Sequence, residues 1–146
     1  MAGDDFHSYH YVVFNPLVSL PTTGTMTCNA GKSNKPNNLG GGTSISQANS
    51  YCTASGTAGI TFDSSGGNVN LVITVSGEGV TGTANVSGLV RSVGSSYISG
   101  GLGGLGNGAM VILGVAGNGA RNVLAIYSVV LSNKNSYRDV ETFTCK

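Results

Sequence analysis

Two histidines, six acids and three cysteines are the residues of this 146-residue chain best suited to catalysis or metal binding. General acid–base work needs a carboxylate or imidazole whose pKa its surroundings can tune. Asp4 and Asp5 lie near the start of the chain, and Asp63 and Glu78 fall in turn-forming segments, where exposure is the default. Asp139 and Glu141 complete the acids, and no spacing among the six announces a catalytic pair. His7 and His10 stand three apart in a strand-like segment, so they face opposite sides and do not jointly hold a metal. Serines are abundant, but there is no G-x-S-x-G elbow to raise one as a nucleophile. Catalysis is therefore not expected, and no catalytic, metal or cofactor-binding residue is assigned.

Cys28, Cys52 and Cys145 form no CxxC pair, and neither histidine is close to a cysteine in sequence, which argues against zinc. Cys28 and Cys52 bracket a loop-like segment that a disulfide between them would close, leaving Cys145 free or paired between chains.

The segment Ser99–Gly108 contains Gly101-Leu-Gly103-Gly-Leu-Gly106, which satisfies G-x-G-x-x-G as text. Dinucleotide chemistry requires a strand before those glycines, a helix after them, and an acid about 20 residues on for the ribose. The residues after Gly108 read as a strand, and the acid is missing. Ser92 to Ala120 carries no charge and is bounded by Arg91 and Arg121. Such a stretch suits burial between subunits, or entry into a lipid surface as a β-hairpin. Leu102, Leu105, Val111 and Leu113 are the expected contact residues for a partner or a membrane.

Composition narrows the class. Charged residues make up 9% of the chain, against about 25% in ordinary soluble domains. Hydrophobic residues make up 40% and the net charge is +1, so the chain lacks the charged, weakly apolar signature of disorder. The seven cations are scattered, which argues against nucleic-acid binding through phosphates. The surface is left to Ser, Thr, Asn and Gly, with little charge to oppose self-association. Met1-Ala-Gly-Asp-Asp5 has no basic start, and no apolar run approaches the roughly 18 residues of a membrane-spanning helix. A virion, cell-surface or released protein is favoured over a cytoplasmic enzyme.

The elements that must carry these residues read as strands. Aromatic and β-branched residues over Phe6–Phe14 suit one strand, and short ones are expected over Leu17–Leu20 and Thr23–Cys28. Asn29–Thr43, dense in Gly, Asn, Lys and Pro, reads as a loop, and Lys32, Asn34, Lys35, Asn37 and Asn38 are its candidate binding residues. Further strands are expected over Ile45–Cys52, Ala58–Phe62, Val69–Ser76, Val80–Val93, Ala109–Ala116, Arg121–Leu131 and Val140–Cys145. Glycine-bearing turns separate them at Asp63–Asn68, Gly77–Gly79, Gly94–Ser96 and Gly117–Gly119. Alternation in Val69–Ser76 puts Val69, Leu71, Ile73 and Val75 on one face. No helical period is sustained anywhere. The expectation is a single all-β domain over residues 1–146, an antiparallel sandwich or barrel of about eight short strands.

The stretch from Ile45 to Asp63, with Tyr51-Cys52 and Gly56-Thr57-Ala58-Gly59, resembles the cysteine and Gly-Thr-x-Gly region of aegerolysins. That resemblance implies a small β-sandwich binding membrane lipid, often beside a pore-forming partner. The family's tryptophan-rich strands have no counterpart in this tryptophan-free chain, and no site residue is carried over. The first functional reading is a non-catalytic, self-associating β-domain for assembly or surface interaction, of structural or decoration type, with other protein subunits or copies of itself as partners. The alternatives are a membrane-acting sandwich of toxin type and a carbohydrate-binding module, the latter left with six tyrosines for stacking.

Overall fold

The computed structural model describes residue 13 and residues 17–33, 36–40, 52–100 and 110–146. They form ten strands: β1 (Gly24–Thr27), β2 (Lys32–Ser33), β3 (Asn37–Gly40), β4 (Thr53–Asp63), β5 (Gly66–Gly77), β6 (Val80–Val90), β7 (Tyr97–Gly100), β8 (Met110–Ala116), β9 (Asn122–Val130) and β10 (Ser136–Thr144). One antiparallel sheet runs β1-β4-β5-β6; the other runs β2-β10-β9-β8-β7, with β3 also paired to β10. The two sheets face each other as an open sandwich, so of the two expected closures the barrel is not adopted. A short 3-10 turn at Asn118–Ala120 is the helical element among the described residues, and no helix there is long and apolar enough to cross a membrane.

Each sheet grows from a meander whose turns are legible in the residues. Glu78 and Gly79 form the two-residue β5–β6 loop with φ of 50° and 79°. Two successive positive φ values match the right-handed twist of a hairpin, and glycine adopts one of them without steric cost. At the β4–β5 hairpin Asp63 accepts a hydrogen bond from the Ser65 amide at 2.7 Å and another from Asn68 Nδ2 at 3.1 Å, closing the turn from its own side chain. The resulting strands of 11 and 12 residues are longer than the ordinary five or six.

Period-two alternation then fills the core. Val69, Leu71, Ile73 and Val75 of β5 are all buried, as their spacing predicts. They meet Ile60 and Phe62 of β4, Val86 and Val90 of β6, and Val123, Ala125, Tyr127 and Val129 of β9. A buried aliphatic side chain of this kind contributes roughly 1.5–3 kcal/mol.

Several expectations are corrected. Leu17–Leu20, flanked in sequence by Pro16 and Pro21, is not a strand; Leu17 and Leu20 are half-buried and pack against the core from irregular backbone. The Asn29–Thr43 loop contains β2 and β3, because Lys32–Ser33 and Asn37–Asn38 find partners on β10 that their composition does not suggest. The hairpin at Asp63 is tighter than expected, since Gly66, Gly67 and Asn68 belong to β5. The strand β7 lies where no strand is expected. Residues 6–12, 14 and 45–51, which belong to two expected strands, lie outside the described residues.

The disulfide joins Cys28 to Cys145, not Cys28 to Cys52. Cys28 donates its amide to the Ala58 carbonyl of β4, and Cys52 lies six residues away along that strand. At 3.3 Å per residue that is about 20 Å, far beyond the reach of a disulfide. On its other side Cys28 lies opposite Cys145, flanked by reciprocal backbone bonds between Thr27 and Lys146, each 3.1 Å. Residues 24–33 thus pass from the first sheet to the second as a strap, and the bridge fastens the strap to β10.

Candidate functional site

The inward face of β10 carries Tyr137, Asp139, Glu141 and Phe143 in alternate positions, followed by Cys145, and all five are buried. Two acids therefore sit inside the sandwich. Asp139 pairs across the ladder with Tyr127 of β9, and its Oδ1 accepts from the Val140 amide at 2.7 Å. Glu141 is fully buried, and both its carboxyl oxygens and the Tyr127 hydroxyl lack a hydrogen-bond partner among the described residues. Room for the carboxyl comes from two glycines. A Cβ at Gly31, in the strap, would overlap the Glu141 carboxyl, and one at Gly56 of β4 would lie 3.2 Å from its Oε2.

Electrostatics follow from this packing. Burial, and then the nearby charge of Asp139, push the Glu141 carboxyl up to about 7. Burial pushes the Tyr127 phenol well above its ordinary range, with Asp139 and Glu141 adding to the effect. A carboxyl held near 7 has the acidity a general acid needs, but catalysis also requires contact with a substrate. Asp139 and Tyr127 are each 2% exposed and Glu141 has no exposed surface, so the cluster is sealed in this conformation. Among the described residues no group of three or more His, Cys, Asp and Glu is placed to hold a metal.

A second polar cluster ties the sheets together at one end. Glu78, at the β5–β6 hairpin, accepts from Asn38 Nδ2 at 3.2 Å and from Asn135 Nδ2. Asn133 Nδ2 donates to the Tyr137 hydroxyl at 3.0 Å. Burial raises Tyr137, and the hydrogen bond from Asn133 opposes the shift. Glu78 is thus part of a clamp and not an exposed turn acid.

The outward face of the four-stranded sheet is built differently. Thr53, Ser55, Thr57, Gly59, Thr61 and Asp63 on β4 lie beside Asn68, Asn70, Val72, Thr74 and Ser76 on β5. Next come Thr81, Thr83, Asn85, Ser87 and Leu89 on β6. Apart from Asp63 at one corner, none carries a charge. Neighbouring hydroxyls and amides pair in rows: Thr74 with Thr83 at 2.8 Å, Ser76 with Thr81 at 2.7 Å, and Ser87 with Asn70 at 2.8 Å.

The expected site residues are dispersed. Cys52 is buried in the core outside the disulfide, and Cys28 belongs to the strap. Val111 is fully buried against the core and is not an outward contact residue. It pairs with Tyr127 on β9, and inward alternation overrides the expectation drawn from its uncharged surroundings. Leu113 pairs with Ala125 on the same ladder. Leu102 and Leu105, and likewise Asn34 and Lys35, lie outside the described residues. Lys32 is exposed on β2, Asn37 is buried, and Asn38 serves the Glu78 clamp, so the expected binding loop is largely drawn into the fold. Sequence reading missed the Asp139–Glu141 pair. The signal was the alternation Tyr137-x-Asp139-x-Glu141-x-Phe143, which sets both acids on an aromatic face.

No family model, curated protein or solved structure matches the chain. The aegerolysin resemblance of the Ile45–Asp63 stretch therefore rests on those residues alone.

Proposed function

We propose that the protein is a non-catalytic β-domain for assembly or surface interaction, working through an uncharged β surface. The observation that carries this reading is the outer face of β4, β5 and β6, where threonine, serine and asparagine fill successive rows and only Asp63 is charged. Surface charge of one sign normally keeps small domains apart, and this face has almost none. Its polar groups already pair with one another, so covering it leaves fewer unsatisfied donors than covering an ordinary polar surface. Asp139 and Glu141 are sealed in the core, and Glu78 is engaged at the clamp. Tyr127 and Tyr137 are both buried, so neither offers a sugar a stacking surface.

Sedimentation velocity across the micromolar range tests the reading. Association that persists as salt rises is the expected result, because ion pairs contribute little to an uncharged contact. A chain that sediments as a monomer at every concentration overturns it.

A further inference from the structure

The assembly reading leaves open which surface meets a second copy, and the edges of the two sheets differ sharply. Strand β1 ends at the strap, where Lys146 takes the Thr27 backbone groups. Among the described residues the edge strands β2, β3 and β7 have two, four and four residues, and β2 carries the exposed Lys32. Strand β6 ends the four-stranded sheet with 11 residues. Its register with β5 is unbroken from Gly77↔Val80 to Gly67↔Val90, so no bulge bends it away. It contains no charge and no proline. Short length, lysine, proline and bulges are among the devices by which proteins blunt an open edge, and β6 has none of these four. Alternate residues of an antiparallel edge turn their N–H and C=O groups away from the sheet, and no strand among the described residues is hydrogen-bonded to that side of β6, although β7 and β8 approach it.

We propose that β6 is a self-pairing edge: it adds antiparallel to β6 of a second copy about a two-fold axis, joining two four-stranded sheets into one. This rests on the assembly reading above and names its interface. A second copy fits best because it supplies a strand of equal length and neutrality, and a two-fold contact must be self-complementary. Centring the axis on Asn85 sets Thr83 opposite Ser87 of the second copy and continues the hydroxyl row already formed by Thr74–Thr83.

The full chain is compared with the double variant Thr83→Lys/Ser87→Lys, the single variant Asn85→Lys, and Thr57→Lys as a same-charge control on β4. All four side chains replaced are exposed. Sedimentation equilibrium gives the dissociation constant, while circular dichroism and thermal melting check the fold. The double variant places ammonium groups directly opposite one another, and dimerisation should weaken by roughly tenfold or more, recovering as salt screens the charges. Asn85→Lys should weaken it in the same direction, and Thr57→Lys should leave it unchanged. If both edge variants dimerise like the parent while Thr57→Lys does not, the edge inference falls and assembly through the sheet face stands. If the parent is monomeric throughout, both fall.

Discussion

A carboxyl enclosed by Phe143, Gly31 and Gly56 has lost the water that ordinarily stabilises its charge. For Glu141 this raises the pKa from an ordinary 4.5 to about 7, so the folded state holds its proton more tightly than the unfolded chain does. Stability from this group is therefore complete below about pH 4.5 and lost as pH rises toward 7, by up to roughly 3 kcal/mol. Urea unfolding of the parent at pH 5 and pH 8 should show the decline, and Glu141→Gln should remove most of it. A pH-independent parent would mean the carboxyl is hydrated or partnered. The glycine above it is equally constrained. Ala at position 56 would bring a Cβ within 2.7 Å of the Val72 carbonyl oxygen and 3.0 Å of the Phe143 ring. Gly56→Ala is expected to destabilise by roughly 1–3 kcal/mol, read from the urea midpoint.

The strap is the element on which the two sheets depend at one side. It hydrogen-bonds to β4 through Cys28 and Gly31, to the end of β10 at Thr144 through Asn29, and to Lys146 just beyond it through Thr27, and the Cys28–Cys145 bridge closes 117 residues of sequence. Loss of such a bridge in a small domain costs about 2–5 kcal/mol. Cys28→Ala/Cys145→Ala should lower the melting temperature accordingly. A non-reducing peptide map should recover the Cys28 and Cys145 peptides as one linked species. Cys52, 3% exposed, should resist alkylation until the protein unfolds. Ready labelling of Cys52 in native buffer, or a Cys28–Cys52 peptide, would contradict this arrangement of the strap.

At the scale of the molecule, one continuous core joins the sheets, and Val111 sits inside it with no exposed surface. A charge there is buried without a partner, so Val111→Asp should abolish cooperative unfolding or leave the chain insoluble. Thermal scans with circular dichroism on the purified variant decide it, and a melt like the parent's would mean that Val111 does not face the core. Because the two meanders are tied together by the β1–β4, β2–β10 and β3–β10 pairings between distant segments and by the Cys28–Cys145 bridge, folding is expected on the millisecond-to-second scale of all-β domains. Stopped-flow refolding measures this directly with the disulfide intact.

The alternation within Val69–Ser76 and the glycine-bearing turns around it were sufficient to identify the β5 core face and the all-β class. These are local properties: side chains in a strand alternate whatever lies opposite, and a glycine at the second position of a tight hairpin acts within four residues. The chain order alone could not identify the partner of Cys28. That depends on the β1–β4 register, which sets Cys28 beside Ala58 and far from Cys52, and on β10 arriving alongside. Nor could it assign Lys32 and Asn37–Asn38 to strands, since their pairing is supplied by β10 from roughly a hundred residues away. Glu141 lies between these cases. Its spacing from Tyr137 and Phe143 is a local signal for an inward face that the sequence reading passed over, and only the approach of Gly31 and Gly56 from the strap and β4 makes that face dry enough to hold a proton near neutral pH.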